Sequence, residues 1–125
     1  MNILDSSAWL EVLVDGPHAA TFLPIIEGGK VSVPAVTIFE VTKRARIMGS
    51  EEDAQRIESH MLRFTVLDLT SERASAASLL SLKHKLPMAD SMIYAATLEV
   101  NATLWTLDED FEGLPQVKYF AKSTT

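Results

Sequence analysis

The sequence predicts an α/β protein with three layers, in which helices cover both faces of a central sheet. Short runs rich in apolar and β-branched residues alternate with longer stretches in which apolar residues recur at helical spacing. This alternation is typical of a mostly parallel sheet, because a parallel strand needs a crossover connection to reach the next one. The chain has 125 residues, of which 47% are hydrophobic, which is enough for the core of an ordinary domain. We therefore expect a single domain over residues 1–125 with a sheet of four to five strands.

The first half of the chain is predicted to begin with a strand and to contain four helices. Gly16 and Pro17 separate the first two helices, and Pro24 is expected to kink the second. Ser50, followed three positions later by Asp53, resembles a capping box at the start of the fourth helix. The predicted strands lie at 2–5 and 30–34, and the predicted helices at 6–15, 18–29, 36–48 and 51–64.

The second half is predicted to contain three strands and two long helices. The helix that begins near Pro87 has a mostly apolar wall, yet it carries Asp90 in its first turn. The predicted strands lie at 65–69, 102–108 and 116–120, and the helices at 71–85 and 86–100, with a short helical turn before the last strand. Large apolar residues of the first half are expected in the core, namely Trp9, Phe22, Phe39 and Met48.

The composition limits the classes of function. The chain has 11 basic and 17 acidic residues, so a role in binding nucleic acid would depend on local basic patches or on metal ions that offset the acids. The absence of cysteine excludes disulfides, thiolate metal sites and cysteine nucleophiles. No apolar run is long enough to span a membrane, and the first residues lack the pattern of a secretory signal. We expect a cytoplasmic protein without membrane contact.

Four acidic residues, distant in sequence, are predicted to lie at one edge of the sheet. Asp5 ends the first strand, and Asp108, with Asp110 close behind, ends the fourth. Glu40 lies in the first turns of the helix after the second strand, and Asp90 opens the helix that leads into the fourth. Ligands of open α/β sheets bind beyond the carboxyl ends of the strands. These acids are therefore candidates for a common site.

Several carboxylates in a small pocket repel one another unless a cation joins them. Oxygen ligands without cysteine or a histidine pair favour Mg²⁺ or Mn²⁺ over zinc. Two such ions about 3.5–4 Å apart would stabilise both the attacking and the leaving oxygen in phosphodiester cleavage. The chemistry that this predicts is hydrolysis of a phosphodiester by metal-activated water.

Each acid also has a purely structural interpretation. Asp5 and Asp108 would cap the helices that follow them, and the dipole of its helix would favour Asp90. Glu40 would form a surface ion pair with the basic residues three and four positions further on.

Four blocks of the sequence, "NILDSSAWLE", "VPAVTIFEV", "PMADSMIYAAT" and "LWTLDEDF", resemble in order those of PIN-domain ribonucleases, in particular the VapC-type toxins of toxin–antitoxin pairs. The resemblance extends from Asp5 to Phe111. It implies a PIN-like fold and a metal-dependent endoribonuclease toxin that is neutralised by a cognate antitoxin. It further implies Mg²⁺ or Mn²⁺ as cofactor, RNA as substrate, and assembly as a homodimer or as a hetero-oligomer with the antitoxin.

By position, the resemblance assigns the metal-binding and catalytic roles to acids and a supporting role to hydroxyl side chains. The acids are Asp5, Glu40, Asp90 and Asp108, with either Asp108 or Asp110 as the fourth-block ligand. The hydroxyls are those of Ser7, or alternatively Ser6, and Thr106. We expect contacts to RNA or antitoxin from the basic cluster on the helix that carries Glu40, which comprises Lys43, Arg44 and Arg46. A solvated helix face is the alternative for that cluster.

In the family, the early helices also form the antitoxin groove and part of the homodimer contact. For some apolar residues of those helices, a position on the exposed surface is therefore the alternative to burial in the core: Leu10, Leu13, Phe22 and Ile26.

Three other functions are alternatives. A phosphate-receiving signalling domain could use Asp68 as acceptor, but it would need an acidic pair beside Asp5, which is missing. A catalytically silent binding module on the PIN scaffold is the second, and the presence of all four acids disfavours it. An aspartyl-nucleophile phosphatase would need a second aspartate at position 7, where the chain has Ser7.

Overall fold

The structure is a computed structural model that describes residues 1–122. Within this range five strands alternate with six helices, each where the sequence predicts it and most with slightly shorter ends. The elements are β1 (Asn2–Leu4), α1 (Ser6–Leu13), α2 (Ala19–Glu27), β2 (Ser32–Pro34), α3 (Ala35–Met48), α4 (Glu51–Met61), β3 (Thr65–Leu67), α5 (Ser71–His84), α6 (Met88–Glu99), β4 (Thr103–Thr106) and β5 (Val117–Tyr119), with a short 3₁₀ helix (Glu109–Phe111) before β5.

All strand pairs of the described residues are parallel, which confirms the predicted fold class. Strand β4 pairs with β1 on one side and β5 on the other, and β2 pairs with β3. The two groups are joined by a single parallel bridge between Asn2 and Val31, where the Asn2 N–H donates to the Lys30 carbonyl at 2.9 Å. The resulting strand order is β3-β2-β1-β4-β5. The carboxyl ends of all five strands therefore face the same edge.

Side chains of successive strand residues point to opposite faces of the sheet, and each face has its own core. Leu4 packs with the cluster formed by α1 to α4, which includes Trp9 and Phe22. Ile3 packs with the cluster on the opposite face, which includes Ile93 and Tyr94 of α6. Helices thus cover both faces, as predicted. Of the four early-helix residues with an alternative surface role, Leu10, Leu13 and Ile26 are half-buried against the first cluster, and Phe22 is fully buried.

Two residues expected in the core are on the surface. Trp9 and Phe22 are buried, but Phe39 is 63% exposed and Met48 is 47% exposed. Helix α3 buries a stripe of residues spaced four apart, Thr37, Val41 and Ala45. Phe39 lies about 200° around the helix from this stripe, since each residue turns the helix by about 100°. The expectation that Phe39 and Met48 lie in the core was therefore wrong.

Side-chain caps fix several helix starts. The Ser50 hydroxyl accepts a hydrogen bond from the Asp53 N–H at 3.1 Å, which confirms the predicted cap of α4. Helix α2 continues through Pro24. None of the helices in residues 1–122 has the length and apolar character needed to cross a membrane.

Candidate metal centre

The pairing of β1 with β4 brings the first and the last of the predicted acids together. Leu4 is the register partner of Trp105, so that Asp5 and Thr106 follow at the same edge of the sheet. Asp5 is only 2% exposed, and both oxygens of its carboxylate accept hydrogen bonds. Its Oδ1 accepts hydrogen bonds from the Ser7 hydroxyl at 2.6 Å and from the Ala8 N–H at 3.1 Å, and its Oδ2 accepts one from the Thr106 hydroxyl at 2.6 Å.

Burial raises the pKa of Asp5 to about 6, against the lowering effect of these hydrogen bonds, and the charge of Asp108 raises it further. The bond from Ala8 caps α1. Asp5 is therefore both the cap of α1 and a member of the acidic group, and its role as a metal ligand stays a prediction.

Ser7 and Thr106 also hold the segment that carries Asp108. The Ser7 hydroxyl accepts a hydrogen bond from the Leu107 N–H at 3.0 Å, and the Thr106 hydroxyl accepts one from the Asp108 N–H at 2.8 Å. The two hydroxyls thus connect the end of β1 to the end of β4. This is the supporting position in which the sequence places both residues. Ser6, the alternative to Ser7, bonds to Glu40 instead.

Three carboxylates converge at the centre of the site. Asp90, Asp108 and Asp110 each have an oxygen within 4.8 Å of the other two. Asp108 also accepts a hydrogen bond from the Asp110 N–H at 2.9 Å and so caps the 3₁₀ helix. The sequence leaves open whether Asp108 or Asp110 is the fourth-block ligand. In the structure both carboxylates lie close to Asp90.

Asp90 opens α6, whose next turns are the buried wall of the second core cluster. The pKa of Asp90 is raised to about 8, first by burial, then by the charge of Asp108 and a hydrogen bond with it, and then by the charges of Asp5 and Glu40. The helix dipole alone would lower this pKa. The site thus concentrates negative charge around Asp90.

Glu40 reaches the same group from α3. Burial raises its pKa, a hydrogen bond from Ser6 lowers it, and the charge of Asp108 raises it. Its Oε1 is buried and has no hydrogen-bond partner among the described residues. None of the salt bridges of residues 1–122 involves Glu40. The structure therefore gives no support to the ion-pair interpretation.

The residues present fit a divalent cation. All five side chains offer carboxylate oxygens, which Mg²⁺ and Mn²⁺ prefer. The unpartnered oxygen of Glu40 and the raised pKa of Asp90 both mark negative charge that the protein alone does not offset. Asp90, Asp108 and Asp110 are close enough to share an ion, while Asp5 and Glu40 surround them at electrostatic range.

The three basic residues expected at the site differ in their surroundings. Arg46 makes two hydrogen bonds to Glu51, at 2.6 and 3.0 Å, and Lys43 lies 5.7 Å from the centre of the Phe39 ring. Arg44 lines a groove that extends to Asp108. Of the three, Arg44 is the one that faces the acids through this groove.

Sequence reasoning missed two residues next to Asp108. Tyr119 and Lys122 line a second groove together with Asp108 and Asp110. The last predicted strand could have pointed to them. Strand β5 pairs in parallel with β4, with Tyr119 opposite Thr106, so the end of β5 lies at the same edge of the sheet as the acids.

Comparison with known proteins identifies the family. A family model described as PIN domain matches residues 3–116. No curated protein matches the chain significantly. Three solved structures share the fold over most of both chains.

A toxin–antitoxin complex from Klebsiella pneumoniae is 22% identical, with a TM-score of 0.77, over 94% of this chain and 96% of the other. VapC20 of Mycobacterium tuberculosis, described as a toxin that cleaves the sarcin-ricin loop, is 13% identical, with a TM-score of 0.79, over 92% and 95%. A DNA-bound VapBC complex from Salmonella typhimurium is 16% identical, with a TM-score of 0.74, over 96% of each chain. The family match, which covers nearly all of the acidic edge, shows that this chain belongs to the PIN domain family.

Proposed function

We propose that the protein is a metal-dependent endoribonuclease and the toxin of a toxin–antitoxin pair. The observation that carries the proposal is the convergence of Asp90, Asp108 and Asp110 beside Asp5 and Glu40. Family membership and the titles of the similar structures, which describe toxin–antitoxin complexes and a toxin that cleaves the sarcin-ricin loop, support the reaction and the partner. The substrate is RNA, and the partner is a cognate antitoxin.

The side chains divide into those that hold the cation and those that fix the others. Asp90, Asp108 and Asp110 would hold Mg²⁺ or Mn²⁺, with Asp5 and Glu40 completing the acidic set. When bound, the ion lowers the pKa of a water molecule and stabilises the charge on the phosphate oxygens during hydrolysis. The hydroxyls that bond to Asp5 keep its carboxylate oriented toward the centre.

Glu40 has the environment of a group that orients or deprotonates the attacking water. One of its oxygens has no hydrogen-bond partner among the described residues, and burial raises its pKa. A general base has to lie within hydrogen-bond reach of its proton, so Oε1, which is buried, would have to be reached by the attacking water to act as one.

The proposal is tested by incubating the purified protein with RNA in Mg²⁺ or Mn²⁺, with and without a chelator. Cleavage is expected with either metal and is expected to stop in the chelator. Asp5→Asn and Asp90→Asn should each lower the rate by at least about 100-fold, since each removes a charge from the centre. Asp68→Asn is the control, because Asp68 is an exposed acid at the end of β3 that lies outside the cluster.

Cleavage that persists in the chelator, or that is unchanged in both variants, would contradict the nuclease mechanism. A growth assay addresses the biological role. Expression of the chain alone is expected to arrest growth, and expression of the Asp90→Asn form is not. Equal arrest by both forms would indicate a catalytically silent binding module. Co-expression with an antitoxin encoded next to the gene should restore growth.

A further inference from the structure

Two surface grooves meet at the acidic centre. We name the first, of about 590 Å³, the helix groove, because α1 and α3 border it and Arg44 lies on its wall. We name the second, of about 530 Å³, the strand groove, because it lies at the end of β5 and contains Tyr119 and Asp110. Leu107, Asp108 and Lys122 line both grooves. A chain molecule that entered one groove could therefore cross the centre and leave through the other.

Each groove offers a positive charge that is not engaged by an acid. Arg44 and Lys122 are exposed, and neither belongs to a salt bridge of the described residues. Arg44 lies one helical turn after Glu40 and lines the helix groove together with Asp108. Arg46, two positions further on, is bound to Glu51 instead. Arg44 and Lys122 are thus available to a ligand in the grooves, whereas the charge of Arg46 is engaged in a salt bridge on the surface.

Tyr119 adds an aromatic surface to the strand groove. It is half-buried at the end of β5, opposite Thr106, and is in none of the aromatic pairs of residues 1–122. Proteins bind single-stranded RNA by stacking bases on aromatic rings and by placing cations along the phosphates. Tyr119 and Lys122 on one groove provide both kinds of group.

We propose, on the basis of the nuclease function above, that a single RNA strand crosses the centre from groove to groove. Tyr119 stacks on a base in the strand groove, Lys122 contacts a phosphate where the grooves meet, and Arg44 contacts phosphates in the helix groove. Two of the acids in the strand groove, Asp108 and Asp110, belong to the proposed metal set. A protein segment is the competing occupant, because the helix groove also has apolar residues such as Val14 and Met48. Glu109 is a third acid in the strand groove, and what favours RNA there is the ring of Tyr119 beside the charge of Lys122.

The test measures binding of a fluorescein-labelled, single-stranded RNA dodecamer of mixed sequence by fluorescence anisotropy. All variants carry Asp90→Asn, so that the RNA remains intact in Mg²⁺. Lys122→Ala and Arg44→Ala should each weaken binding roughly three- to tenfold and reduce the dependence of log Kd on log salt by about 0.7 to 1. Arg46→Ala is the control with the same loss of charge, and its affinity should stay within about twofold of the parent.

Tyr119 needs a pair of variants. Tyr119→Leu should weaken binding on the order of tenfold without changing the salt dependence, whereas Tyr119→Phe should bind like the parent, because stacking needs only the ring. Thermal unfolding verifies that both variants are folded. The proposal is overturned if the Lys122 and Arg44 variants match Arg46→Ala in affinity and salt dependence, or if the two Tyr119 variants bind equally. RNA binding that is unchanged while antitoxin binding is lost would overturn it in favour of the protein occupant.

Cleavage by the chain with Asp90 intact is the separate readout for the proposed function. If the protein does not cleave RNA but its groove variants lose RNA binding, the proposed RNA path is supported and the nuclease function is rejected. If the protein cleaves RNA but its groove variants bind RNA normally, the nuclease function is supported and the proposed RNA path is rejected.

Discussion

The Thr106 hydroxyl donates a 2.6 Å hydrogen bond to Oδ2 of Asp5, a residue 101 positions earlier in the chain. The same hydroxyl accepts a bond from the Asp108 N–H at 2.8 Å. Both Asp5 and Thr106 are almost completely buried, so water cannot replace either bond. A single side chain thus fixes the ends of two neighbouring strands where the acids converge.

Thr106→Val, which keeps the shape and removes the hydroxyl, should destabilise the protein by about 1–3 kcal/mol. It should also raise the pKa of Asp5 above about 6, because the lost bond stabilised the charged carboxylate. Urea unfolding and an NMR titration of Asp5 measure the two effects. Thr97→Val is the control: Thr97 is equally buried, but its hydroxyl bonds to the Ile93 carbonyl within α6. An Asp5 pKa that moves equally in both variants would contradict the prediction.

The stability of the metal-free protein should decrease as the pH rises from about 4 to 8. The pKa of Asp5 is raised to about 6 and that of Asp90 to about 8, from an ordinary value of 3.8. Between the unfolded and the folded pKa the folded state binds more protons, so stability falls with increasing pH. Thermal unfolding in a chelator at several pH values measures this dependence.

Divalent metal should reverse this loss. Binding to the folded state alone adds about 2.7 kcal/mol at a free metal concentration 100 times Kd. The gain in Tm should be larger at pH 8 than at pH 5, because protons compete with the metal for the carboxylates at low pH. Sodium chloride at matched ionic strength is the control. A stability that rises through this pH range in the chelator would show that the acids do not repel one another as inferred.

The positions of the elements and of the acids could be predicted from the sequence because both follow from local patterns. The alternation of strands and helices predicts a parallel sheet, and a parallel sheet places Asp5 and Asp108 at one edge. Glu40 and Asp90 could be assigned to the first turns of helices that start at that edge. The supporting roles of Ser7 and Thr106 came from the resemblance, and their bonds to Asp5 depend on the register of β1 and β4.

Other features depend on side-chain geometry that no pattern encodes. Arg46 belongs to a dense basic cluster in the sequence, but the turn at Gly49 brings Glu51 to it and engages its charge. Phe39 is apolar, yet the burial of the Thr37 stripe turns it to solvent. The approach of Tyr119 to the acids follows from its pairing opposite Thr106, which requires knowledge of the strand order.

Asp90→Asn should stabilise the metal-free protein at pH 8 while abolishing cleavage. The substitution removes a half-buried charge that is repelled by three neighbouring acids. This gain should outweigh the loss of a favourable interaction with the α6 dipole, which is worth about 0.3–1 kcal/mol. At pH 5 the difference should be smaller, because Asp90 lowers the stability of the parent progressively from its unfolded pKa of 3.8 up to about 8.

Thermal unfolding at both pH values in a chelator checks the prediction, with Asp68→Asn as the control. Asp68 is exposed and lies outside the acidic cluster, so its substitution should have little effect at either pH. Destabilisation by Asp90→Asn at both pH values would instead identify Asp90 as a structural residue of α6.

Asp108→Asn and Asp110→Asn should both weaken metal binding, but with different effects on the other acids. Both carboxylates lie within 4.8 Å of Asp90, and removal of either should lower the affinity for Mg²⁺ at least about tenfold. The charge of Asp108 is among the main causes that raise the pKa of Asp5, Glu40 and Asp90, whereas Asp110 is not among them.

Asp108→Asn should therefore lower the pKa of Asp90 more than Asp110→Asn does, because Asp108 acts on Asp90 through both its charge and a hydrogen bond. Calorimetric titration with Mg²⁺ and Mn²⁺ measures the affinities, and NMR measures the pKa of Asp90. Glu109→Gln is the matched control, because Glu109 is exposed on the same 3₁₀ helix and outside the cluster. If Asp110→Asn binds metal as tightly as Glu109→Gln does, Asp110 is not a ligand. Asp108 then remains as the fourth-block carboxylate, since the Thr106 hydroxyl fixes its backbone beside Asp5.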